Sequence, residues 1–187
     1  MVAKRVSKRL VIDACVAGSS GKEDAIEPVS VHCRDFLQAV LEMSHKVVMT
    51  PAIRDEWNEH QSQFARKWRL QMLSKRKLEI LDIPTNNKLW NEIYQIIESV
   101  TRSNKQQEEM IKDIHLVEAA LVTDKTVISL DDNTARRFFS KAAAQVDELK
   151  DIVWVNPDKI EEEQPIEWLQ NGANPETDRL LGTWCDR

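Results

Sequence analysis

Two hydrophobic periods alternate along the chain. Short, nearly unbroken apolar runs at residues 9–13, 46–49, 126–131 and 152–155 read as buried strands, and 78–83 reads as extended. Between them, apolar residues recur every three or four positions, the mark of an amphipathic helix. Val29, Phe36, Leu37, Val40 and Leu41 define one over 28–43. Thr50 as N-cap and Pro51 at the first helical position open another, which carries Ile53, Trp57, Phe64 and Trp68 inward as one continuous helix. Leu89, Ile93, Ile96, Ile97 and Val100 mark 87–100, and Met110, Ile114, Val117 and Leu121 mark 106–121. A last helix, containing Phe138 and Phe139, follows the polar cluster 131–134. Residues 17–24 read as a polar, glycine-rich loop. Strands separated by helices predict an α/β protein, a three-layer α/β/α sandwich around a central, mainly parallel sheet.

One residue breaks the pattern of the 106–121 helix. Asp113 sits on or beside its apolar stripe, with Met110, Leu116, Val117 and Ala120 as helical neighbours. A carboxylate there loses hydration and needs a donor, a cation or a metal. From Asp113 the helix descends about 12 Å to Leu121. After the turn at 123–125, the following strand climbs about 16 Å to Asp131. The two aspartates should therefore finish at similar heights at the carboxyl edge of the sheet, where open α/β sheets bind ligands.

Two more acids belong to that edge. Asp13 ends the first strand, although a turn aspartate bonding its own backbone explains it equally well. Glu56 lies just after the second strand, and an ordinary acid in the first turns of a helix has the same appearance. In the 131–134 cluster, any of the Asp, Asn and Thr side chains could cap the helix that follows. Arg136 and Arg137 near that helix start run against the macrodipole and suggest a role facing an anion.

Composition narrows the field without choosing within it. The chain has 187 residues, a net charge of −5 and 30% charged residues, which suit one soluble domain with an appended segment. No basic excess announces nucleic-acid binding, though a local patch can coexist with an acidic site. The cationic run Arg66, Lys67, Arg69, Lys75, Arg76 and Lys77 reads first as a solvated helix face and second as a phosphate contact. Cys15, Cys33 and Cys185 form no CxxC pair, so neither a zinc knuckle nor a disulfide framework is expected. The apolar run near the start is cut by Asp13, and no segment approaches the ~20 apolar residues of a membrane span. A cytoplasmic protein is the expectation. From residue 158 the composition turns acidic and is punctuated by Pro, Gly and Asn. Ile166, Trp168, Leu169, Leu180, Leu181 and Trp184 anchor an extension, 158–187, that packs on the domain or docks a partner.

Asp13, Glu56, Asp113 and Asp131 held at one edge would repel one another unless cations neutralise them. An all-oxygen donor set suits Mg²⁺ or Mn²⁺, and such ions support phosphodiester hydrolysis by an activated water. No GxSxG, Walker A or GxGxxG pattern competes, and His32, His45, His60 and His115 are scattered.

Four short motifs carry a family resemblance: VIDACV with Asp13, TPAIRDEW with Glu56, KDIHLVEAAL with Asp113 and VISLDDN with Asp131. In order and spacing the chain resembles the PIN-domain family, in the broad group that contains the VapC-type toxin ribonucleases. The resemblance spans most of residues 9–155 and makes 1–157 a PIN-like nuclease domain. It implies a Mg²⁺- or Mn²⁺-dependent endoribonuclease whose catalytic metal ligands are Asp13, Glu56, Asp113 and Asp131. Asp132 or Asn133 would add a ligand, and Ser129 takes the family's Thr or Ser position. It also implies an RNA substrate, a homodimer and, within the toxin group, an antitoxin-like protein partner. Cys15 departs from the pattern, standing where the family commonly has Asn or Ser. The competing reading is a catalytically inactive PIN-like module that binds RNA or protein. An unrelated aspartate-based phosphohydrolase would want Asp-x-Asp after the first strand, and Asp13-Ala14-Cys15 does not supply it.

Overall fold

The computed structural model describes residues 7–100 and 103–184. The start of the basic leader (1–6), part of the linker (101–102) and Cys185 lie outside the described residues. Strands β1 (Arg9–Ile12), β2 (Lys46–Met49), β3 (Leu78–Ile80), β4 (Thr126–Ile128) and β5 (Val153–Val155) form one sheet in the order β3-β2-β1-β4-β5. Every pairing is parallel, with Leu10 opposite Val47, Val11 opposite Val127 and Val127 opposite Trp154. Helices flank the sheet as the outer layers of an α/β sandwich. They are α1 (Ala14–Ser19), α2 (Pro28–Glu42), α3 (Pro51–His60), α4 (Gln63–Ser74), α5 (Asn87–Val100), α6 (Asn104–Leu121), α7 (Arg137–Ala142), α8 (Ile160–Glu163) and α9 (Pro165–Gln170).

The reason for the parallel order is visible in β1. Leu10, Val11 and Ile12 are all fully buried, so both faces of the central strand are covered, and only helical crossovers can cover both. From β1 the chain builds outward through β2 to β3, then crosses back to lay β4 on the other side of β1 and β5 beyond it. The reversal falls between β1 and β4. A crevice opens at such a switch point, outside the carboxyl ends of the two strands. Asp13 follows β1, and Ser129 and Asp131 follow β4.

Near β1 and α3 the structure differs from the predicted elements in two places. Residues 14–19, which reach into the expected loop 17–24, form a short helix, because Asp13 caps it: its carboxylate accepts from the Cys15 amide at 3.2 Å. The single helix expected after Pro51 is two. Gln61 is extended and Ser62 starts α4 by accepting from the Ala65 amide at 3.1 Å. The break lets Trp57 and Trp68 stack at 5.9 Å between ring centroids. Trp57 then donates to the Ile12 carbonyl at 2.9 Å, which pins α3 to the end of β1. Gly18 permits the close approach of α1 to the end of α3, since a Cβ there would come within 3.0 Å of the His60 carbonyl oxygen.

The acidic extension packs back on the domain. Leu180 bridges Val153 antiparallel, covering the outer edge of β5, and Trp168, Leu169 and Leu181 are buried. The Leu169 carbonyl lies 3.0 Å from His45 Nε2. Burial holds the His45 pKa below its ordinary value, so the neutral ring donates there and accepts the Lys8 amide on Nδ1. Among the described residues no helix is long and apolar enough to cross a membrane.

Candidate metal centre

The crevice at the switch point is a cleft of about 570 Å³, and all four acids singled out at the sheet edge line it: Asp13, Glu56, Asp113 and Asp131. Each arrives on a different element. Asp13 sits between β1 and α1, Glu56 on α3 beside the pinned Trp57, Asp113 on α6, and Asp131 in the turn after β4. Ile114 and Val117, buried under the sheet-facing side of α6, fix the rotation that leaves Asp113 at the cleft.

The four carboxylates differ in how they are held. Asp13 is fully tied: Ser129 Oγ donates to its Oδ2 at 2.7 Å, the Cys15 thiol lies 2.9 Å from the same oxygen, and the Cys15 amide reaches Oδ1. Cys15 thus supplies a side-chain donor to Asp13. Burial and the Asp13 charge both push its thiol pKa well above the ordinary range, which keeps the proton on sulfur. Asp131 is tied by one bond, its Oδ1 accepting from the Thr134 amide at 2.8 Å. Asp113 accepts no hydrogen bond among the described residues. Its carboxyl is pushed up to about 8, first by burial and then by the charges of Asp13, Asp131 and Glu56, with Lys112 opposing. Glu56 is raised as well, by burial and by Asp13, against Lys112 and His60. The cleft is therefore a crowd of acids with Lys112 as its principal counter-charge.

Asp132 does not join them. Its carboxylate is buried on the other side of the turn, where it accepts from Arg136 at 3.2 Å and Asn156 at 2.8 Å and pairs with Lys159 at 3.0 Å. Asn133 is exposed and does not line the cleft. The cause is local. Residues Asp132–Arg136 form a π-helical turn capped by Asp131, which aims Asp131 and Thr134 at the cleft and sends Asp132 and Arg136 inward. The anion expected opposite Arg136 is the protein's own, Asp132 together with Glu163. The cationic run is spent similarly in part: Lys67 pairs with Glu23, and Lys77 donates to the Leu41 and Met43 carbonyls at the end of α2.

Sequence reasoning passed over Lys112, His60 and Glu109, which also line the cleft. Helical spacing could have found two of them. His60 is one turn after Glu56 on α3, and Glu109 one turn before Asp113 on α6.

The donor set fits a hard divalent cation, since carboxylate oxygens dominate and, among the described residues, neither Glu56 nor Asp113 accepts a hydrogen bond. Among the described residues, no three His, Cys, Asp or Glu side chains already stand close enough to grip an ion directly. Mg²⁺ does not require that, because it keeps several waters and takes one or two carboxylates directly. Compared with protein-family models and with curated proteins, the chain matches none.

Proposed function

We propose that the chain is a metal-dependent endoribonuclease that hydrolyses RNA phosphodiester bonds by attack of water on phosphorus. One observation carries the hydrolytic reading: four acids from four separate elements line the switch-point cleft, and the carboxyl of one of them, Asp113, is pushed up to about 8 by burial and by the charges of the other three. Such an arrangement costs stability unless a cation completes it. Asp13, Glu56, Asp113 and Asp131 would hold Mg²⁺ or Mn²⁺, and the bound ion would supply a lowered water pKa and charge neutralisation at the phosphate. Ser129 and Cys15 fix the orientation of Asp13, and the Thr134 amide fixes that of Asp131. Lys112, at the rim, faces an incoming phosphate with a positive charge. The choice of RNA rests on the four motifs that resemble the PIN-domain family. So do a homodimeric state and a role as the toxin of a toxin–antitoxin pair.

The reading is tested by incubating the protein with a mixed pool of single-stranded and structured RNA, with Mn²⁺, with EDTA, and as Asp113→Asn. Cleavage is expected with Mn²⁺ alone, falling at least about a thousandfold, or ~4 kcal/mol of activation free energy, in the variant. Activity retained in Asp113→Asn would end the assignment. The alternative, a catalytically inactive module that binds RNA or protein, is favoured by the spacing of the acids, which grips no ion as it stands. A calorimetric Mn²⁺ titration separates the two, since that module has no reason to bind the ion.

A further inference from the structure

Directly behind the cleft lies a second charged cluster that no step of hydrolysis uses. Arg136 is 1% exposed and donates through one nitrogen to both Asp132, at 3.2 Å, and Glu163, at 2.5 Å. Its guanidinium also lies 4.8 Å from the centroid of the Trp184 ring. Glu163 turns its other oxygen to the Asn156 amide, at 3.1 Å, and to Arg179, at 3.4 Å. Arg179 in turn donates to the Glu163 carbonyl and to Glu176, and lies over the Trp168 ring. Asn156 closes the circuit: its side-chain amide donates to the Leu130 carbonyl at 3.2 Å and to Asp132 at 2.8 Å.

Those last two contacts matter because they fall on either side of Asp131. The residue before it and the residue after it are both held by Asn156, and Asn156 is held by Glu163. The Arg136 amide donates to the Asp131 carbonyl at 3.0 Å, closing the π-helical turn from the same network. Glu163, Lys159, Arg179 and Trp184 all belong to the extension after β5, whereas Asp131 belongs to the cleft. The charges balance, Asp132, Glu163 and Glu176 against Arg136, Arg179 and Lys159, so the cluster needs no ion to neutralise it, although the buried Arg136 Nε finds no acceptor among the described residues.

We infer that residues 159–184 act as a strap that positions the Asp131 carboxylate in the cleft, with Glu163, set between Arg136 and Arg179, as its central positioning residue. This deepens the metal-dependent reading and rests on it for the ligand role of Asp131, while the strap itself is readable without metal. A segment serving only to cover the edge of β5 needs Leu180 and Leu181. It does not need a part-buried carboxylate 27 residues away from the arginine it holds.

The test is amide hydrogen exchange on the metal-free full chain, comparing wild type, Glu163→Gln and the control Glu161→Gln on the exposed side of the same short helix. Exchange at the Thr134 and Arg136 amides is expected to speed up tenfold or more in Glu163→Gln alone, with β1 and β2 unchanged. Unchanged exchange at these amides would overturn the strap, and so would equal acceleration through the whole sheet, which would make Glu163 a general stability residue. Should Glu163→Gln fail to fold, Lys159→Gln probes the same turn from a side chain that is 40% exposed. A parallel Mn²⁺ titration keeps the two readings apart. Where wild type binds Mn²⁺ and Asp113→Asn does not, Glu163→Gln should bind about tenfold more weakly, and unchanged affinity would overturn the positioning role. A wild-type chain that binds no Mn²⁺ would overturn the nuclease reading and leave the exchange result to judge the strap.

Discussion

Asp131 turns its carboxylate into an open cleft shared with Asp13, Glu56 and Asp113, whereas Asp132, the next residue, is enclosed by Arg136, Asn156 and Lys159. One turn of backbone thus divides two clusters of opposite character. Behind the turn, every carboxylate has a cation or amide, and removing one partner would strand a buried charge. In front of it, carboxylates face one another, and removing one relieves repulsion. What separates them is whether the partners belong to the chain. A cluster that completes itself is architecture, and one left incomplete has a place for a ligand.

The largest effect should come from the completed cluster. Arg136→Leu leaves Asp132 and Glu163 buried without their shared cation, which should cost about 3–5 kcal/mol in urea unfolding. A cost below about 1 kcal/mol would mean that water reaches this cluster and would erase the contrast with the cleft.

The open cluster should respond with the opposite sign. The Asp113 carboxyl is held up to about 8 in the folded protein, against an ordinary value of 3.8. Between those values the folded state binds the proton that the unfolded chain has released. Its contribution to stability is full below about pH 4 and is lost as pH rises through 8. The cleft is open to water, which screens the repulsion, so we expect metal-free Asp113→Asn to be about 2 kcal/mol more stable than wild type at pH 8–9. The gain should vanish near pH 4. Thermal unfolding across that range checks it, and Mn²⁺ should raise the melting temperature of wild type more than that of the variant. A variant less stable than wild type at pH 8 would show that Asp113 has a partner within the chain.

The two clusters were not equally legible in the sequence. Asp113 stood out because a carboxylate on an apolar helical stripe violates its own pattern, and the rise per residue of helix and strand put it level with Asp131. The parallel order then assigned Asp13 to the same edge. The inward turn of Asp132 eludes the sequence because a strand continued to 131 and a helix following the polar cluster 131–134 leave no room for a π-helical turn, which has no apolar period to announce it. Arg136 was correctly suspected of facing an anion, but Glu163 lies 27 residues on, in a segment whose acidic composition gives no sign of which acid is buried. The break between α3 and α4 was readable in principle, since Ser62 is a good N-cap, but continuous apolar spacing through Trp57, Phe64 and Trp68 hid it.

The smallest effect expected tests how the open cluster is anchored. Asp13 is the cleft acid with fixed donors, and Cys15 supplies one of them. Its thiol lies 2.9 Å from Asp13 Oδ2 while the Leu130 amide points at the sulfur from 3.4 Å. Burial and the neighbouring Asp13 charge keep that thiol protonated, so it serves as a donor as a hydroxyl would. Cys15→Ser should therefore leave stability within about 1 kcal/mol of wild type and Mn²⁺ affinity equal or slightly tighter. Cys15→Ala keeps the helix cap through the backbone amide but removes the side-chain donor, and should cost about 1 kcal/mol while loosening Asp13. Thermal unfolding and Mn²⁺ titration of the pair make the comparison. If alanine matches serine in both, Ser129 and the amide of residue 15 suffice to orient Asp13, and the cysteine is packing. If only alanine weakens Mn²⁺ binding, the open cluster depends on a donor shell of its own, of which the Cys15 thiol is a necessary part.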